Sequence, residues 1–356
     1  MPPFTRIPPL LQPYLQLPRE DSILLLTSTL GATANWLITR FLCDALSNQD
    51  GGDAPGHNVV LASWMREYDF WRQEARKGAG LDLERLKKEG RFAFVDGLSE
   101  LCLDSNVPQN GGLTSNDTTS GRAGGALVQR TPSSLPLRGP PGRIIPAKGP
   151  PQPATQPVSP AKIQSTSASR PTPGHHTLKS LDLAQLKATI ASAVSLLPTT
   201  TLSDTSVQRK TLIVLDNADL LLALNPTLDP SALTSLILAL HSLPSISHIL
   251  AHVQADSPLL GLSQPPQPLE IAQHNLVVKL GHMSRRILGV RVLDTGVARD
   301  VSGVIRVTEQ KIGWSDLGLE EDEKNSGESE NGKEFLYQVK GDGSVRVFER
   351  GAGGEG

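Results

Sequence analysis

Aromatic side chains are scarce in this sequence: Phe, Trp and Tyr together make up 4% of 356 residues, and hydrophobic residues of all kinds only 38%. A chain this lean leaves part of its length outside any packed core. Cysteine is nearly missing. Cys43 and Cys102 have no metal-ligand spacing, and two thiols in a long chain exclude a disulfide framework. They fit a reducing compartment, the cytoplasm, with the nucleus also open. Charge of one sign is missing as well. At a net charge of -2, no overall field steers a polyanion, and any nucleic-acid contact has to come from a local patch. Long apolar runs are absent. The best candidate, Ile23 to Leu46, contains Gly31, Asn35, Arg40 and Asp44, and reads as strand, turn and helix instead of a membrane span. The first twenty residues are too rich in proline for a signal peptide. The histidines form no ligand set, and His175-His176 falls in a linker, so neither a metal nor a cofactor is expected. No Ser/His/Asp or Cys/His nucleophile constellation can be read from the sequence.

What is present is a pattern of alternating strands and helices. Residues 1–20 read as an extended, Pro-rich arm. Residues 21–103 follow with strands at Ser22 to Thr27, His57 to Ala62 and Arg91 to Val95, and helices at Ala32 to Leu46 and Arg66 to Lys77. That β-α-β-α-β spacing implies parallel strands with crossover helices. From 104 to 176 the composition shifts to Pro, Gly, Ser and Thr, and no acid occurs between Asp117 and Asp182, so the segment reads as a mildly basic, disordered insertion. The second folded part, 177–350, offers a helix at Leu178 to Leu197, strands at Thr211 to Leu215 and Ile246 to Val253, and a helix at Pro230 to Leu243. Leu269 to Leu280 reads as a short helix or a strand. The period then changes to two. Ile287 to Leu293, Val301 to Val307, Phe335 to Val339 and Val345 to Phe348 predict antiparallel strands, interrupted by an acidic loop at 316–333. Neither part makes a covered sheet alone, so the expectation is one discontinuous α/β domain.

Four features bear on chemistry. The turn after the first strand, Thr27-Ser28-Thr29-Leu30-Gly31-Ala32-Thr33, stands where a P-loop ATPase carries G-x-x-x-x-G-K-[ST]. There, glycines let backbone amides close on phosphates, a lysine neutralises them, and a hydroxyl holds magnesium. Only Gly31 and the hydroxyls of Thr27 and Thr33 remain, and no lysine precedes Lys77. The turn therefore reads as structural. Asp216, at the end of TLIVLD, matches the magnesium-holding acid of such enzymes and reads as a relic, or as a cap on the next turn. Trp64, Tyr68, Phe70 and Trp71 crowd four aromatics into eight residues, either a helix-to-sheet core or a subunit contact. Arg285 and Arg286, with Arg291, are solvated strand flanks or RNA-phosphate contacts.

Taken together, the segments Val59 to Leu98 (VVLASWMREYDFWRQEARKGAGLDLERLKKEGRFAFVDGL), His274 to Thr308 and Thr211 to Leu222 resemble the sixth-subunit family of the Elongator complex, in its fungal form. The resemblance covers most of both folded parts, but neither the insertion nor the acidic loop. It implies a RecA-like fold without working Walker motifs, a pseudo-ATPase used as scaffold. It also implies a hetero-hexameric ring with subunits four and five, two copies of each, that binds tRNA. Such a ring serves catalytic subunit three, which acts with subunits one and two in carboxymethyl-type modification of the wobble uridine. Ring loops would fall at about 217–229 and 253–268. An atypical NTPase and a free-standing RNA-binding protein are the alternatives.

Overall fold

Seven strands, side by side and parallel, form the centre of the molecule, and the apolar ones among them are covered by helices on both faces. The computed structural model describes residues 7–46, 56–103, 173–198, 209–261, 263–296, 298–310 and 332–350. Residues 104–172 and nearly all of the acidic loop lie outside them. In chain order the first elements are α1 (Gln12–Leu15), β1 (Ser22–Ser28), α2 (Asn35–Leu46), β2 (Asn58–Ser63), α3 (Tyr68–Glu74), α4 (Leu83–Lys88), β3 (Phe92–Asp96) and α5 (Ser99–Leu103). A π-helical turn, Ala75–Ala79, extends α3. After the insertion come β4 (His175–Thr177), α6 (Leu183–Ser195), β5 (Thr211–Asp216), α7 (Leu220–Leu224), α8 (Pro230–His241), β6 (Ile246–Gln254), α9 (Ser257–Leu260) and α10 (Pro268–Met283). The chain closes with β7 (Arg286–Arg291), β8 (Gly303–Glu309), β9 (Lys333–Val339) and β10 (Val345–Glu349).

All ten strands join one sheet in the order β10-β9-β8-β7-β1-β6-β5-β2-β3-β4. From β7 to β4 every pair is parallel, while β7 to β10 pair antiparallel. β6 separates the strand leading into the turn at Gly31 from the strand ending in Asp216, which is the order of a RecA-like sheet. Strands from both sides of the insertion interleave in it. The central strands are apolar throughout because their alternate residues meet two different cores. Leu24 and Leu26 pack with α1, α2 and α3, whereas Ile23 and Leu25 pack with α6, α8 and α10. The helices start where the sequence supplies caps: Asp82, Asp182 and Asp229 each accept a backbone N–H of their helix's first turn, and Pro230 follows at the first helical position.

Three expectations need correction, and one left open is resolved. The N-terminal arm is not extended: Pro9–Leu11 forms a 3-10 turn that runs into α1, and Leu11 and Leu15 are fully buried. Proline sets the helical φ there, and burying two leucines returns roughly 2 kcal/mol each. His175 belongs to no linker. His175–Thr177 adds strand β4 beside Phe94–Asp96, so residues 175 and 176 belong to the folded part and not to the insertion. Leu269 to Leu280 is settled as helix by α10, which Pro268 opens and a Gln267/Glu270 capping box fixes. The C-terminal strands are not all antiparallel, since β7 runs parallel to β1 and grafts the meander onto the main sheet.

Candidate functional site

In parallel α/β sheets, chemistry collects at the carboxyl ends of the strands, near the point where strand order reverses. Here those ends carry Ser28 (β1), His252 and Gln254 (β6), Asp216 (β5) and Ser63 (β2). The register sets Ser28 opposite Gln254, Asp216 opposite His252, and Ser63 opposite Asp216. A continuous hydrogen-bonded relay results. Ser28 Oγ lies 2.8 Å from His252 Nε2, and His252 Nδ1 lies 2.8 Å from Asp216 Oδ1. Ser63 Oγ donates to Asp216 Oδ2 at 2.6 Å and accepts the backbone N–H of Arg66. All four residues are buried, with Ser28 and His252 2% exposed and Asp216 and Ser63 not at all.

A second polar knot adjoins the relay. Asp219 accepts from the backbone N–H of Gln254 at 3.0 Å and from Gln273 Nε2 at 2.9 Å. Burial pushes the Asp219 carboxyl up, against the pull of those hydrogen bonds and of nearby His252. Asn217 takes a left-handed backbone, φ 58°, to turn the chain between the two acids.

The serine–histidine–aspartate order is that of an activated nucleophile. Here that order lies inside the fold: Ser28 is 2% exposed, and its hydroxyl faces His252 instead of solvent. Asp216 is likewise committed, with one oxygen on His252 and the other on Ser63, so the acid that would hold magnesium instead ties three strands together. The expectation that it caps the next turn is thereby corrected.

The degenerate turn is closed in a comparable way. Thr29 and Ala32 form a bridge across it, and Gly31 takes φ +86°, a conformation a side chain would strain. Thr33 Oγ1 accepts the N–H of Asn35 at the start of α2, and Thr27 faces the backbone at Gly289 of β7. The backbone N–H of Leu30 donates to Asp256 Oδ1 at 2.5 Å. An amide that could face a phosphate has a carboxylate of the chain itself against it. The site thus offers a nucleotide a like charge in place of the missing lysine.

No family model matches the chain, and no curated protein matches it. Among solved structures, a KaiC-like protein from the hyperthermophilic archaeon Pyrococcus horikoshii is similar at 12% identity, with 97% of each chain covered and a TM-score of 0.46. At that level the RecA-like assignment rests on the sheet order of this chain.

The remaining sequence-predicted sites are scattered. Trp64 and Trp71 are buried on opposite faces of the sheet, Trp64 against Gly97, so neither is available to a partner. Tyr68 and Phe70 stay half-buried, Tyr68 beneath the ammonium of Lys87 at 4.1 Å and beside His175. Arg285 and Arg286 both have partners within the chain. Arg285 pairs with Glu20, and Arg286 is buried with Nε on Glu309 at 2.5 Å and Nη1 on the carbonyls of Tyr14 and Gln16. Both arginines anchor the N-terminal segment. Arg291 is bound to Asp294 and Glu334. Among the described residues no group of three or more His, Cys, Asp or Glu could hold a metal ion, and no helix is long and apolar enough to cross a membrane.

The relay escaped sequence reading because its members lie up to 224 residues apart. A signal existed nonetheless: the apolar runs of β1, β2 and β5 end at their carboxyl side in Ser, Ser and Asp, and β6 carries His252 two residues before its end.

Proposed function

We propose that this chain is a non-catalytic subunit of the Elongator complex. It assembles with subunits four and five into a hexameric RecA-like ring, and the ring binds tRNA and supports carboxymethyl-type modification of the wobble uridine by subunit three, with subunits one and two. The observation that carries the reading is the closed nucleotide site: Asp256 on the Leu30 amide, Asp216 inside the relay, and no lysine in the turn. The resemblance of Val59 to Leu98, His274 to Thr308 and Thr211 to Leu222 supplies the family. Exposed apolar side chains on α7, α8 and α10, Leu224, Leu238, Ile271 and Val278 among them, suit a chain that covers its surface with partners.

The test is purification of the tagged full chain with mass analysis of what accompanies it, then co-expression with the two partner subunits. The expected particle is about six times the mass of one subunit. A monodisperse monomer that ignores both partners overturns the reading. ATP hydrolysis is the second measurement. Activity above background that Asp256→Ala raises, or that Asp216→Asn removes while the fold persists, overturns the non-catalytic part.

A further inference from the structure

The opposite end of the sheet carries charge that the proposed function does not use. At the amino ends of three adjacent parallel strands stand Arg91 before β3, His57 before β2, and Arg209 and Lys210 before β5. Backbone hydrogen bonds fix their neighbourhood, from Val59 N–H to the Arg91 carbonyl at 2.9 Å and from Asn58 N–H to the Lys210 carbonyl at 3.0 Å. Adjacent strands lie about 5 Å apart and β2 stands between β3 and β5, so the backbones at Arg91 and Arg209 lie about 10 Å apart, a gap that two arginine side chains can span. Most charges here are already matched: Lys210 pairs with Asp21 at 2.5 Å, and Arg85 with Glu89 at 3.3 Å.

Arg91 and Arg209 are different. Arg91 is 8% exposed, yet among the described residues its side chain makes one hydrogen bond, from Nη2 to the carbonyl of His57 at 3.4 Å. The Nε of Arg91 and the Nε of Arg209 are both buried without an acceptor, and neither guanidinium lies in an ion pair among the described residues. Burial and then the neighbouring Arg209 push the Arg91 guanidinium down, the mark of a like charge close by. A buried arginine beside a second arginine, with donors unsatisfied, is costly unless an anion completes it. Two guanidinium groups at one edge of the sheet supply fork-shaped N–H donors of the kind that suit a tetrahedral oxyanion, and their combined charge of two balances the -1.5 to -2 of a phosphate group.

We propose that Arg91 and Arg209, at the amino ends of β3 and β5, form a phosphate-binding site at the opposite end of the sheet from the degenerate phosphate loop. The phosphate comes either from a small phosphate compound or from a polynucleotide backbone. The site does not depend on the subunit reading and would persist were that reading to fail.

The test uses the full chain, with the partners it purifies with. Arg209→Gln is the main variant because Arg209 is only half-buried, and its fold is checked by circular dichroism. Arg91→Gln is the second. Thermal unfolding is followed with inorganic phosphate from zero to tens of millimolar at constant ionic strength. The wild type is expected to gain melting temperature with saturation, and Arg209→Gln to lose the saturable part. Arg209→Lys should recover only some of it, because an ammonium lacks the fork. Fluorescence anisotropy with a labelled tRNA transcript then separates the sources. Weaker binding by Arg209→Gln, with the slope of log affinity against log salt reduced by roughly one, assigns the site to the polynucleotide backbone. Unchanged RNA binding with a lost phosphate response assigns it to a small phosphate. An identical phosphate response in wild type, Arg209→Gln and Arg91→Gln overturns the proposal.

Discussion

Single residues tie the carboxyl ends of the central strands together. His252 has both ring nitrogens engaged, one on Asp216 and one on Ser28, across three neighbouring strands. His252→Ala would leave a fully buried carboxylate with one partner in place of two. That variant is expected to lose roughly 3 kcal/mol or more, whereas Ser28→Ala, which strands no charge, should lose only about 1 kcal/mol. Chemical unfolding of the two variants checks the order, and equal losses would show the relay to be incidental. Two other buried groups tilt stability with pH in opposite senses. Burial raises Asp44 from 3.8 to about 6, so its contribution is full below pH 3.8 and is lost as pH rises through 6. Burial lowers His248 from 6.5 to about 4, so its contribution is present above pH 6.5 and is lost as pH falls toward 4. Asp44→Asn keeps the helical position without the buried charge. It should stabilise the chain by roughly 1–2 kcal/mol at pH 7.5, after allowance for partial solvent access, and by nothing at pH 3.5. A melting-temperature profile from pH 3.5 to 8 reads both slopes, and a gain from Asp44→Asn that persists at pH 3.5 would refute the burial argument.

At the scale of elements, the N-terminal segment shows how one side chain docks a whole piece of chain. Arg286 reaches from β7 to the carbonyls of Tyr14 and Gln16, which are the free acceptors at the end of α1. A methionine fills similar volume but satisfies neither carbonyl. Arg286→Met is therefore expected to loosen residues 9–17 by roughly 2 kcal/mol, about thirtyfold in local opening, seen as faster hydrogen exchange at Leu15 and Gln16. Protection unchanged there would place the anchoring in Leu11 and Leu15 instead. The same segment shows what sequence pattern conveys. β1, β2, β3, β5 and β6 were legible because strands covered on both faces must be apolar at every position. α1 was not, because a single turn has no period and its proline reads as extended chain. β4 was not legible for a different reason: His175-His176-Thr177 is a half-buried edge strand, held by three register pairs and by the packing of Phe94 and Tyr68 on His175. In the candidate site, the missing lysine and Asp216 could be read locally, whereas the partners of Asp216 could not, since only the fold brings Ser63 and His252 to it.

At the scale of the whole molecule, β4 constrains how the insertion can be shortened. β4 runs parallel to β3, so the chain leaving α5 at the carboxyl end of β3 has to return the full length of the sheet edge before it enters β4. Five residues of strand span about 17 Å, and the return around α5 adds to that. The shortest linker, none at all with Leu103 joined to Pro173, leaves two residues before β4 and a reach of about 11 Å, too little chain, whereas about fifteen Gly/Ser residues in place of 104–172 suffice. The long-linker variant is expected to keep the fold and to gain about 1 kcal/mol from the lower entropy of closing a shorter loop. The short-linker variant should detach β4 and expose Phe94, which shows as lost protection at Val95 and Asp96 and a lower melting temperature. Because strands on both sides of 104–172 interleave in one sheet, a cut chain co-expressed as residues 1–105 and 170–356 should also assemble, with stability that depends on fragment concentration. Independent folding of either fragment alone, measured by cooperative thermal unfolding, would refute the single discontinuous sheet.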